Sequence, residues 1–101
     1  MKNSPNNTKC EIKTTYLFNK GLKKIKKQNK NLDELIQVIE KLANYEELDS
    51  KYRNHYLIDN KTYKNCLECH IGPDWLLIYK YVENKLVLVL FATGSHSDLF
   101  D

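Results

Sequence analysis

The sequence predicts an α+β fold in which an N-terminal helical hairpin packs on a small antiparallel sheet, with one edge strand from the N-terminus. Three observations carry this. Residues 16–44 hold two runs of apolar side chains at three- and four-residue steps, residues 66–92 hold three short apolar runs divided by tight breaks, and 101 residues suffice for one core. Residues 1–8, polar and carrying Pro5 among asparagines, are expected to form a disordered tail before a single domain over 9–101.

The elements follow in order. Cys10-Glu11-Ile12-Lys13-Thr14 alternates weakly and reads as the edge strand. Over 16–29, Leu17, Phe18, Gly21, Leu22 and Ile25 keep helical spacing while lysines fill the other faces, which makes a basic amphipathic helix. Asn31 resembles an N-cap with Glu34 as its reciprocal partner, and Leu32, Leu35, Ile36, Ile39, Leu42 and Ala43 then mark a second helix over 32–44. The link Lys30-Asn31 is short enough to require a helical hairpin. No period survives over 45–64, so this stretch reads as a long polar loop holding His55, and long loops in compact domains often carry function.

Strand patterns occupy 66–71, 75–82 and 85–92, broken by Pro73 and by Glu83-Asn84. Such close spacing favours an antiparallel meander, and the unbroken apolar run over 86–92 marks a strand buried on both faces.

Lysine and arginine number 16 against 13 acidic residues, a net charge of +3. The excess is local: Lys20, Lys23, Lys24, Lys26, Lys27 and Lys30 crowd one stretch without an acidic residue. That cluster suits phosphate, an anionic surface or an acidic partner, or simply a solvated helix face. No run reaches the ~18 apolar residues of a membrane span, and the N-terminal stretch lacks an apolar segment of the signal-peptide kind, so a cytoplasmic protein with no membrane partner is expected. Three cysteines, an odd number, point to free thiols at Cys10, Cys66 and Cys69.

The chemistry lies in the histidines. Imidazole trades protons near neutral pH, and His55, His70 and His96 in one small basic domain suggest acid-base work on an anionic substrate. His70 alternates with Glu68 on one strand face and Asp74 follows beyond the Pro73 turn, so carboxylate and imidazole can face one pocket as base and acid, or as base and orienter. The plain alternative is a surface turn. Trp75 suits either a core or a stacking platform, His96 stands where a buried strand ends, and Phe100 can stack on a base or plug the core.

Cys66-Leu67-Glu68-Cys69-His70 also matches the C-x-x-C-H spacing of covalent haem attachment. Met1 is the only methionine, which leaves no internal axial partner. Zinc would need His55 or His96 as a further ligand, while the neighbours Cys69 and His70 point to opposite strand faces. Neither haem nor metal is expected, and Cys69 reads as a buried structural thiol.

Taken together, the lysine-rich helix, Leu32-Asp33-Glu34-Leu35-Ile36-Gln37-Val38-Ile39, Tyr52-Arg53-Asn54-His55, the block from Glu68 through Gly72-Pro73-Asp74-Trp75 to Tyr79, and Gly94-Ser95-His96-Ser97-Asp98-Leu99-Phe100 resemble the RelE-type toxins of bacterial toxin-antitoxin modules, in their YafQ branch. The resemblance covers about residues 10–100. It implies a RelE-like fold with a short C-terminal helical turn, and a metal-independent, ribosome-dependent endoribonuclease that cuts mRNA, needs no cofactor and is silenced by a cognate antitoxin in a complex that can be heterotetrameric. The family's catalytic positions fall on His55, His70, Asp74 and His96, and its aromatic positions on Trp75 and Phe100. It implies His96 as general acid, Asp74 or His70 as base, and His55 at the phosphate or sharing the proton load. Lys20, Lys23, Lys24, Lys26, Lys27 and Lys30 would then grip ribosomal RNA by charge.

The chain departs from the family pattern at several points. Tyr56 replaces the proline after the loop histidine, Gly72 replaces a charged residue, and Leu67 and Ala92 stand where relatives place arginines. Lysines such as Lys61 and Lys64 would replace those bidentate phosphate donors only in part. These losses define the alternative, a non-catalytic protein of the same fold that binds the ribosome or the antitoxin.

Overall fold

The computed structural model describes residues 8–82 and 86–100. Residues 1–7 of the expected tail over 1–8 and the expected turn at Glu83-Asn84 lie outside the described residues. Strand β1 (Glu11–Thr14) leads into α1 (Tyr16–Lys27) and α2 (Leu32–Ala43), then a 3-10 turn (Ser50–Tyr52) and β2 (His55–Tyr56). Strands β3 (Leu67–Gly72), β4 (Trp75–Val82) and β5 (Val87–Gly94) follow, and α3 (His96–Phe100) closes the chain.

The five strands form one sheet in the order β1-β5-β4-β3-β2. Three of the pairings are antiparallel, β3–β4 and β4–β5 as the short breaks favour and β2–β3 besides, whereas β1 joins β5 in parallel. The edge strand is where the sequence placed it, with a direction that local pattern does not report. Its exit explains the direction: the Thr15 hydroxyl donates to the Phe91 carbonyl over 2.6 Å, so the chain runs along β5 before rising as α1.

Each helix starts on a side-chain cap. Thr15 Oγ1 accepts from the Phe18 amide and Asn31 Oδ1 from the Asp33 amide. The reciprocal bond expected from Glu34 is absent, because its carboxylate instead accepts from the Tyr52 hydroxyl and draws Lys51 to 4.0 Å. Glu34 therefore ties α2 to the loop rather than closing its own helix.

The helices cover one sheet face. Phe18 and Ile25 of α1 and Leu35, Val38 and Leu42 of α2 bury against Cys69, Ile71, Trp75, Leu77, Tyr79, Leu88 and Leu90. A smaller cluster on the other face joins Tyr63, Cys66, Ile78 and Ala92 with Leu57, Phe91 and Leu99. Strand β5 thus has apolar neighbours on both faces, with a register shift between Ile78 and Tyr79 turning Leu90 and Ala92 to opposite sides. Helix α1 lies so close to the end of β5 that a Cβ on Gly21 would stand 2.1 Å from the Thr93 carbonyl oxygen.

All three thiols are free and buried. Cys66 belongs to the smaller cluster and Cys69 to the helix-side core, so the C-x-x-C-H spacing joins no common site. Burial, reinforced by the Glu68 charge, pushes the Cys69 thiol up to about 12, which makes it inert. Among the described residues no helix is long and apolar enough to cross a membrane.

Candidate active site

Strand pairing sets out the site before any loop contributes. Glu68 and His70 share the face of β3 turned away from the two helices, because their cross-strand partners Ile78 and Leu76 share it. His55, in the stretch with no period, enters by pairing with Glu68 across β2 and β3. This short strand is the element that sequence pattern did not show. Two residues are too few for alternation to register.

His96 arrives from α3. Its ring centroid lies 6.3 Å from that of His70, which lies 6.3 Å from that of His55, so the three imidazoles form an arc with His70 at its centre. Phe100, one helical turn on, places its ring 5.6 Å from His96 and edge-on to Tyr63 at 5.5 Å. Asp74, at the tip of the β3–β4 hairpin, adopts φ 49°, a left-handed conformation that Asp tolerates. From there its Oδ1 accepts the His96 amide over 2.9 Å and lies 3.7 Å from His96 Nδ1.

Two carboxylates therefore govern three imidazoles. Glu68, only 5% exposed, sets Oε1 at 3.2 Å from His55 Nε2 and 3.6 Å from His70 Nε2. His55 Nδ1 faces the Arg53 carbonyl at 2.7 Å, so this nitrogen carries a proton and donates it to an oxygen that can only accept. Burial holds His70 below the ordinary histidine range. The Glu68 charge works in the opposite sense, and Arg53, His55 and His96 add to the lowering. The net lowering favours the neutral ring, the form that can accept a proton.

A cleft of about 500 Å³ opens beside this arc, lined by His70, Asp74, Lys51, Tyr52, Arg53 and Glu34 among others. Arg53 is the only arginine in the chain, and it sits in the left-handed conformation at the end of the 3-10 turn. It is not among the expected site residues, although its singularity in a lysine-rich chain is a usable signal. Alternation along β3 pairs Glu68 with His70, whereas its second partner, His55, is visible only in the strand pairing.

The structure sets other expected residues apart from the arc. Trp75 is 4% exposed in the helix-side core, and its indole N–H donates to Thr93 Oγ1 over 3.0 Å, so it presents no face for a base. Lys61 and Lys64 line a separate groove of about 1050 Å³ with Tyr56, Ile58 and Tyr81, a groove that holds none of the three histidines. On α1, Lys20, Lys23, Lys26 and Lys27 are exposed, whereas Lys30 is half-buried 6.0 Å from the Trp75 ring and Lys24 pairs with Asp98 at 2.6 Å. Among the described residues no group of three His, Cys, Asp or Glu side chains is arranged to hold a metal ion.

A basic α+β domain with imidazoles in an arc, each of the outer two beside a carboxylate, is equipped for proton transfer on an anionic substrate. Residues 10–101 match the family described as the bacterial toxin of type II toxin-antitoxin system, YafQ. The mRNA interferase toxin YafQ of Escherichia coli strain B is 31% identical over 91 residues, which span 89% of this chain and 95% of that protein. Among solved structures, a metal-bound toxin from Helicobacter pylori is 38% identical with a TM-score of 0.81, covering 88% of this chain and 97% of that one. The YafQ of the E. coli DinJ-YafQ complex is 31% identical with a TM-score of 0.79, covering 91% and 99%. This chain belongs to the YafQ family of type II toxin-antitoxin toxins.

Proposed function

We propose that the protein is an mRNA interferase of the bacterial cytoplasm, a ribosome-dependent endoribonuclease that a cognate antitoxin holds inactive, with its toxin domain over residues 9–101. The observation that carries this is the arc of His55, His70 and His96, spaced 6.3 Å from ring to ring. In such an arc different imidazoles can reach the attacking and the leaving oxygen of one phosphodiester.

His70, neutral and half-buried, takes the proton of the ribose 2′-hydroxyl as its oxygen attacks phosphorus. His96 gives a proton to the departing 5′-oxygen, and a 2′,3′-cyclic phosphate remains on the upstream product. Asp74, engaged with His96 through Oδ1, orients the acid instead of serving as base. His55, held between Glu68 and the Arg53 carbonyl, faces the phosphate, where Arg53 and Lys51 supply the cationic rim that steadies developing charge. Phe100, 37% exposed beside His96, offers a ring for a flanking base.

Arg53 answers the loss of arginines at Leu67 and Ala92. Ala92 is 1% exposed inside the smaller cluster, so an arginine would have no room there without repacking. The exposed lysines of α1 hold ribosomal RNA by charge, without reading its sequence.

Purified protein added to ribosomes programmed with a defined mRNA should generate cleavage ends carrying 2′,3′-cyclic phosphate. His96→Ala should remove them while ribosome binding persists. Intact mRNA with wild-type protein bound would instead establish the non-catalytic reading.

A further inference from the structure

Helix α3 spans only His96–Phe100, too short to hold its own shape, yet it carries both the proposed acid and the ring that faces the base. Its position therefore depends on anchors. Three are visible. Asp74 takes the His96 amide, the Tyr63 hydroxyl donates to the Leu99 carbonyl over 2.8 Å, and Lys24 donates to Asp98 Oδ1 over 2.6 Å.

The third anchor differs from its neighbours on α1. Asp98 uses both oxygens: Oδ2 accepts the Ser95 amide at 3.1 Å while the Asp98 amide donates to Ser95 Oγ at 3.1 Å, a reciprocal cap that starts α3. Lys24 occupies the remaining oxygen and thereby joins the cap to α1 across 74 residues of sequence. Gly21 makes the reach possible, because the missing Cβ lets α1 settle against Thr93 at the end of β5 one turn before Lys24.

We propose that Lys24 is a positioning residue: its ammonium, through Asp98, holds α3 in the orientation that sets His96 beside His70 and Asp74, with Phe100 beside His96. The catalytic consequence rests on the nuclease reading above, while the structural link does not. Lys24 then leaves the set of lysines that grip RNA. The Asp98 carboxyl, drawn below its usual range chiefly by the Lys24 hydrogen bond, agrees with a persistent pair.

Cleavage kinetics on programmed ribosomes separate positioning from RNA binding. Lys24→Met and Asp98→Asn should each lower kcat about 10- to 100-fold, the scale of a catalytic group displaced by about an ångström. The double variant should fall no further than the worse single one, and Lys24→Arg should recover most of the rate. Lys23→Met, which removes an equal charge one residue away, should act on KM. If Lys24→Met moved only KM, or Asp98→Asn kept the wild-type kcat, the inference would fail.

Amide hydrogen exchange tests the link without any cleavage. Protection of the Asp98 and Leu99 amides, which donate to Ser95, should drop in both Lys24→Met and Asp98→Asn. Unchanged protection overturns the link even if the protein cuts RNA. Lost protection in a wild-type protein that cuts nothing supports the link and overturns the nuclease reading alone.

Discussion

The His96 amide donates to the Asp74 carboxylate over 2.9 Å, so the start of the last helix is pinned to the tip of the β3–β4 hairpin. This contact joins two segments 22 residues apart and sets the His96 imidazole beside His70.

Removing that contact should affect rate more than binding. Asp74→Ala deletes both the acceptor for the amide and the charge beside Nδ1, and kcat should fall about 100-fold with KM little changed. Asp74→Asn keeps an acceptor oxygen and should fall less. Single-turnover cleavage at saturating ribosomes measures both, and equal losses in the two variants would mean the charge alone matters.

The acid side of the pH-rate profile should report His70. A base whose pKa lies below the ordinary histidine value of 6.5 stays active further into the acid range, so the acid limb of kcat/KM should have its midpoint below pH 6.5. Glu68 opposes this lowering, hence Glu68→Gln should move both the NMR titration of His70 and the kinetic limb to still lower pH. A shift to higher pH would reverse the assigned influence of Glu68.

Stability should follow the same titration. A folded-state pKa below the unfolded value means that the unfolded chain binds the extra proton first. The His70 contribution is therefore fully present above about pH 6.5 and is lost as pH falls through the folded value. Urea unfolding of wild type and His70→Gln across pH 4–8 should show a shallower acid decline in the variant.

Gly21→Ala should cost stability because a backbone oxygen cannot step aside. With Thr93 O at 2.1 Å from the added Cβ, α1 must lift from β5, at about 1–3 kcal/mol of overpacking. Gly72→Ala meets only Trp75 Cε3 at 3.8 Å and should stay close to wild type. Denaturant midpoints at matched slopes decide the comparison.

Trp75 offers a further contrast. As a core residue it should cost about 3–5 kcal/mol when cut to alanine. Trp75→Phe keeps the apolar ring and loses the bond to Thr93, for about 1 kcal/mol. At temperatures where Trp75→Phe remains folded, KM should match wild type. A raised KM in the folded variant would mean that the indole reaches substrate after all.

Much of the fold was legible along the chain. Residues 16–29 and 32–44 carry helical periods because each helix buries one stripe, and 66–92 carries strand patterns because each run crosses the sheet once. Both signals are local. The imidazoles at 55, 70 and 96 and the carboxylate at 74 were likewise readable as chemistry-bearing residues from type and order.

Residue order also determined a helical hairpin, a meander and three proton-transfer groups in a basic chain. Tertiary structure decided the rest: that β1 runs parallel to β5, that Trp75 faces inward, that Glu68 stands between His55 and His70, that Arg53 lines the cleft, and that Lys24 meets Asp98. Periodicity reports which side of an element is buried, whereas these relationships join positions up to 76 residues apart. Only strand register and the close packing of α1 on β5 bring such positions within hydrogen-bonding distance.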